Sequence, residues 1–121
     1  MAEAPWERPE NYTLLHSFTG HIKARPRDVF DAIARRFDPG PGSESRFTAD
    51  ARAYLVITQG GWWYRGEYRV VPDDHGSHVE HVILNVAQKG HRVGTWTGRK
   101  VIAAAPAEFD KLMRQLRLEL E

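Results

Sequence analysis

The stretch from Gly60 to Ala87, GGWWYRGEYRVVPDDHGSHVEHVILNVA, constrains this chain more than any other. Val, Tyr and Trp dominate it, and such side chains suit a pleated, half-buried surface. It reads as two long strands folded back on each other at Asp73-Asp74-His75-Gly76. Alternation places Trp62, Tyr64, Gly66, Tyr68 and Val70 on one face, expected to be buried. Trp63, Arg65, Glu67, Arg69 and Val71 fall on the other. In the partner strand the phase is ambiguous; Glu80 suggests that its own set, with His78, Val82, Leu84 and Val86, faces out near the turn. That turns Val79, His81, Ile83 and Asn85 inward, two of them polar among apolar neighbours.

The rest of the chain is arranged around this hairpin. Residues 1–11 are rich in proline and glutamate and are expected to form a mobile arm, with Trp6 as a candidate anchor. Residues 12–121 are expected to form one domain. Residues 12–24 alternate, with Leu14, His16, Phe18, Gly20, Ile22 and Ala24 on the core side. Residues 26–37 switch to helical spacing through Val29, Phe30, Ile33 and Phe37. Pro26 suits the first helical position, and Asp28, Arg35 and Arg36 match the helix dipole. The Asp38-Pro39-Gly40-Pro41-Gly42 run ends the helix; without a following Lys-Ser/Thr it is a linker, not a phosphate loop. Residues 45–49 and 52–59 read as shorter strands, and Gly60-Gly61 as the turn into the hairpin. Residues 88–98, with three glycines, read as a polar loop. From Arg99 the pattern is helical, with a restart or kink at Pro106. Phe109, Leu112, Met113, Leu116 and Leu120 form one stripe, broken by Leu118. Strands grouped together with helices to one side define an α+β class.

Composition narrows the function. Seventeen basic and sixteen acidic residues give a formal charge of +1. No strong field of one sign follows, so nucleic acid and anionic membrane are not favoured partners. Cysteine is absent, which removes disulfides and thiol chemistry and fits a reducing compartment. No run approaches the ~18 apolar residues of a membrane span. The first residues lack a secretion signal, so a cytoplasmic location is expected.

A first strand running into a short helix through HIKARPRDVFDAI, a meander containing GEYRVVP, and the closing helix APAEFDKLMRQLRLEL together resemble the START/Bet v 1-like, or SRPBCC, helix-grip superfamily. The resemblance spans roughly residues 12–120 and is one of pattern and order. It implies a curved antiparallel sheet gripping the C-terminal helix, with an apolar cavity between them. Five to six strands are expected here, fewer than the family usually has. The superfamily includes lipid carriers, metabolite binders and polyketide cyclase/aromatase enzymes. The resemblance also implies that the first and last strands pair antiparallel, which sets His16 near Asn85 and Gly20 near His81.

A mostly apolar pocket with a few placed polar groups is the usual form of a small-molecule site. The expected lining is His16, Phe18, Trp62, Tyr64, Tyr68, His81, Ile83, Asn85, Phe109 and Met113. Its histidines and amide would orient a carbonyl or hydroxyl of a small hydrophobic ligand. In a second reading His16 or His81 acts as acid or base in a cyclase-like enzyme. In a third, the core is filled by its own side chains, the histidines bond to backbone, and the domain mediates interactions. No cofactor is implied. His75, His78 and His81 cluster in sequence, but His78 and His81 point to opposite strand faces, so no metal site is expected. The aromatic set lacks the positive groove that a nucleic-acid stacking platform needs. Trp63, Val82, Leu84 and Val86 would form an apolar outer patch, which suggests cover by the N-terminal arm or a homodimer.

Overall fold

A computed structural model describes residues 3–42 and 45–121. The first two residues of the expected arm and residues 43–44 of the linker lie outside them. The order is β1 (Thr13–Ile22), α1 (Pro26–Phe37), β2 (Arg46–Asp50), β3 (Leu55–Gly60), β4 (Tyr64–Asp73), β5 (Gly76–Asn85), α2 (His91–Thr97) and α3 (Arg99–Leu120). The strands form one antiparallel sheet in the order β1-β5-β4-β3-β2. The architecture is α+β, with α3 laid across the inner face, as expected of a helix-grip arrangement.

The central hairpin has its expected turn. Asp73 pairs with Gly76, and the Asp73 carboxylate accepts the His75 N–H at 2.9 Å. Gly76 is required by its surroundings as well as its backbone. Its φ is +141°, and a Cβ there would lie 2.6 Å from the Ile22 carbonyl oxygen where β1 ends. The inner face also holds the expected residues: Tyr68, Val70, Val79, His81 and Ile83 are all buried. Tyr68, Val70 and Val79 pack in one core with Ile22, with Val29, Phe30 and Ile33 of α1, and with Phe109, Met113 and Leu116 of α3, and His81 stacks on Phe109.

Three expectations are corrected. First, β1 carries a bulge at Leu15, so Leu14 pairs with Leu84 and His16 with Ile83. One extra residue reverses the alternation. Leu14 therefore faces outward and is 55% exposed, while His16, Phe18, Gly20 and Ile22 keep the inner face. The register also differs by two residues from the expected one: Phe18, not Gly20, lies opposite His81.

Second, residues 91–97 are helical, not loop. Glycine there serves packing rather than flexibility. A Cβ on Gly94 would lie 2.9 Å from the Trp63 Cβ, and one on Gly98 would lie 2.2 Å from the Trp63 ring. Pro106 lies inside a continuous α3, which it does not restart.

Third, Trp62 and Trp63 belong to the turn before β4, where strand alternation does not apply. Trp63 is buried against α2 instead of facing outward, and Trp62 is 48% exposed. Leu84 and Val86 are also buried within the single chain. The outer patch that suggested a second copy is thus largely covered.

The N-terminal segment lies on the sheet's outer face. Ala4 is buried beside Leu55 and Ile57. The Ala4 N–H donates to the Phe47 carbonyl at 3.3 Å, and the Thr48 hydroxyl donates to the Ala4 carbonyl at 2.6 Å. Arg65, fully buried, donates to the Pro5 and Trp6 carbonyls at 2.7 and 3.0 Å. The Trp6 side chain contributes only an exposed bond to Asp50; the firmer ties are Ala4 and the backbone carbonyls held by Arg65.

Candidate functional site

Where α3 crosses the sheet it leaves a half-open cleft of about 460 Å³. Its floor is the inner face of β4 and β5: Tyr64, Tyr68, His81 and Ile83. One wall is the last turn of α1, Arg36 and Phe37. The other is α3, through Val101, Ala105, Glu108, Phe109, Lys111, Leu112 and Gln115.

Five of the ten expected residues line this cleft: Tyr64, Tyr68, His81, Ile83 and Phe109. Phe18 lies behind them, stacked against His81 and Phe109 with ring centroids 5.9 and 5.2 Å apart. Met113 is buried over Gly20, where a Cβ would meet its methyl carbon at 2.5 Å. The remaining three do not reach the cleft. Trp62 borders a groove on the far side with Pro5, Pro9 and Lys89. Asn85 is fully buried and holds α2: its amide donates to the His91 carbonyl and to the Thr95 hydroxyl, and its oxygen accepts the Ala87 N–H. His16 bonds to backbone, at the Ile102 carbonyl of α3.

His81 is the polar centre of the cleft floor. Its ring lies flat on Tyr68, with centroids 3.9 Å apart and planes 5° from parallel. Its Nδ1 is 3.0 Å from the Glu67 carbonyl oxygen. A carbonyl only accepts, so Nδ1 carries the proton and Nε2 is left as an acceptor. Among the described residues Nε2 has no partner, although every fully buried side-chain polar atom there has one. That leaves Nε2 in contact with the open cleft. Burial disfavours the imidazolium and outweighs the Glu67 hydrogen bond, lowering the His81 pKa to about 4. The ring is neutral at pH 7.

The tyrosines are held as phenols. Burial raises the pKa of both Tyr64 and Tyr68. Tyr64 folds back over Gly66 toward Thr58; a Cβ on Gly66 would lie 2.7 Å from the Tyr64 hydroxyl. Phe37 stacks on Tyr68 at 4.6 Å and closes the aromatic wall.

The sequence reading missed the rim. Arg36, Glu108, Lys111 and Gln115 give the mouth its polar edge. Arg36 is tied to Glu119 at 2.7 Å. A signal existed: Val101, Ala105, Glu108, Leu112 and Gln115 recur at helical spacing beside the apolar stripe. The mixed chemistry of that flank concealed it.

The His75-His78-His81 run does not converge. His78 turns toward Asp73 and Glu80, at 3.8 and 3.7 Å, while His81 points into the core. No family model matches this chain, and neither a curated protein nor a solved structure matches it.

Proposed function

We propose that this protein binds a small hydrophobic molecule in the cleft between the sheet and α3. The observation that carries this reading is the unpartnered Nε2 of a neutral His81 set in an aromatic floor. A cleft of this volume suits a ligand of modest size. Tyr68, Phe37 and Phe109 supply apolar area, and His81 supplies one acceptor. The ligand is therefore apolar and flat, with a hydroxyl or N–H donor directed at His81. The helix-grip resemblance points the same way.

Binding is favoured over acid–base catalysis. A general base works best with a pKa near the working pH, and His81 lies well below that. His16 already has a backbone partner.

The test is native mass spectrometry of the purified protein for a co-purified small molecule, with a thermal-shift screen of hydroxylated planar apolar compounds. A hit should raise Tm in the wild type and not in Ala105→Trp, which fills the cleft. It should bind about tenfold more weakly to His81→Phe, as expected for one lost hydrogen bond. No co-purified mass and no hit, or equal binding by Ala105→Trp, would refute the reading.

A further inference from the structure

The chain's near-neutral total hides a segregation of charge. From His81 to Ala107 there are four cations, Lys89, Arg92, Arg99 and Lys100, and no acid; the flanking acids are Glu80 and Glu108. All four are exposed, and none forms an ion pair with a described residue. The fold gathers them at one end of the molecule, on the loop after β5, on α2 and on the first turn of α3. Apolar side chains stand out among them. Trp96 is 66% exposed, Val93 55% and Val101 49%, and the Trp62 ring lies beside Gly90. The inward side of α2 is fixed by Gly94 and Asn85 against the body. Its outward side therefore presents Arg92, Val93 and Trp96 together.

We propose that this tip docks on an anionic lipid bilayer surface. Cations interleaved with exposed tryptophan and aliphatic side chains fit the boundary between charged headgroups and acyl chains. Arg99 lies over the Trp96 ring at 4.0 Å, so the ring can enter the boundary while the guanidinium stays at headgroup level. Single-stranded nucleic acid fits less well. It stacks on open aromatic faces along a groove, whereas one Trp96 face is covered by Arg99 and the other protruding apolar groups on α2 and the first turn of α3 are valines. No described helix is long and apolar enough to cross a membrane, so the contact is peripheral. Val101 belongs both to this tip and to the cleft wall, which sets the mouth next to the docking surface. The docking itself does not depend on any cleft ligand.

The test is flotation of the full chain with vesicles of phosphatidylcholine alone and with one-fifth phosphatidylglycerol. Binding is expected only to the anionic vesicles, and 0.5 M salt should release most of it. The double variant Arg92→Gln/Lys100→Gln should bind about 25-fold more weakly, roughly fivefold per charge. Trp96→Ser should also weaken binding. All three side chains are exposed, so unchanged Tm values serve as the folding control, and the salt titration of the wild type needs no variant. Equal binding to neutral vesicles, no binding to anionic ones, or undiminished binding by the double variant would overturn the proposal. So would tighter binding to a single-stranded oligonucleotide than to anionic vesicles.

Discussion

His16 supplies the hydrogen bond that Pro106 withholds. In an unbroken α-helix the N–H of residue 106 would donate to the carbonyl of Ile102, but proline has no N–H. The His16 Nε2 stands 2.8 Å from that oxygen and, facing a carbonyl, must be the donor. A proline in the last helix and a histidine in the first strand thus form one structural unit. This explains how α3 runs through Pro106 without a break.

This pairing predicts a non-additive mutant cycle. His16→Ala should cost about 1–3 kcal/mol in the wild type, because the Ile102 carbonyl is left unpaired. Pro106→Ala restores the internal donor, so the same His16→Ala change should cost at least about 1 kcal/mol less in that background. Urea unfolding of the four proteins measures the difference. Equal costs in both backgrounds would show that the two residues act independently.

His81 should make stability depend on pH above the range where carboxylates titrate. Its folded pKa, about 4, lies below the ordinary 6.5. Its contribution is therefore fully present above pH 6.5 and is lost as pH falls toward 4, where the unfolded chain takes up a proton that the native ring refuses. The full difference is about 3 kcal/mol. Denaturant unfolding between pH 7 and pH 5 should show a decline that His81→Gln greatly reduces. An unchanged slope in that variant would assign the effect elsewhere.

Gly98→Ala should be among the more damaging single-methyl additions. The new Cβ would lie 2.2 Å from the Trp63 ring, and a fully packed aromatic has little room to yield. A loss of about 2–3 kcal/mol is expected, with a red shift of tryptophan emission as Trp63 meets water. Gly90→Ala is a contrasting control: its nearest neighbours are 3.9 Å away, and strain arises only from φ at +61°. If Gly98→Ala melts with the wild type, Trp63 is not wedged there.

Arg65 should govern whether the N-terminal segment stays on the sheet. It is fully buried, donates to Glu67 at 2.8 Å, and holds the Pro5 and Trp6 carbonyls. Burial works to raise the Glu67 pKa, but its hydrogen bonds from Arg8 and Arg65 prevail and keep it low. Arg65→Met leaves Glu67 with Arg8 alone and the two carbonyls without donors. A cost of about 3 kcal/mol or more is expected, along with faster proteolysis within residues 4–11. Unaltered cleavage would mean that Ala4 and Thr48 suffice to hold the segment.

Much of this architecture was legible in the residues, and the exceptions have physical causes. The β4 phase could be read because its aromatic and charged sets separate cleanly; that of β5 is ambiguous in the sequence, with Glu80 alone pointing to the observed choice. α1 could be read because Pro26, Asp28 and Phe37 point to the same limits. The bulge at Leu15 could not: it changes pairing without changing composition, so alternation alone puts Leu14 on the wrong face. Gly94 and Gly98 look like loop residues when their partner, Trp63, is unknown. Four of the cleft-lining residues, Tyr64, Tyr68, His81 and Ile83, followed from strand alternation. The rim did not, because Arg36, Lys111 and Gln115 meet only once the crossing of α1 and α3 is set.

β1 pairs with β5 and also carries α3, through His16 on Ile102, Gly20 under Met113 and the His21 carbonyl accepting from Arg117. Residues made before the β4–β5 hairpin are thus mated to those made after it. A nascent chain stalled before residue 99 can close the β4–β5 hairpin but has no helix to shelter Phe18 and His81. Until α3 emerges from the ribosome the cleft does not exist, and its aromatic floor is open to chaperones.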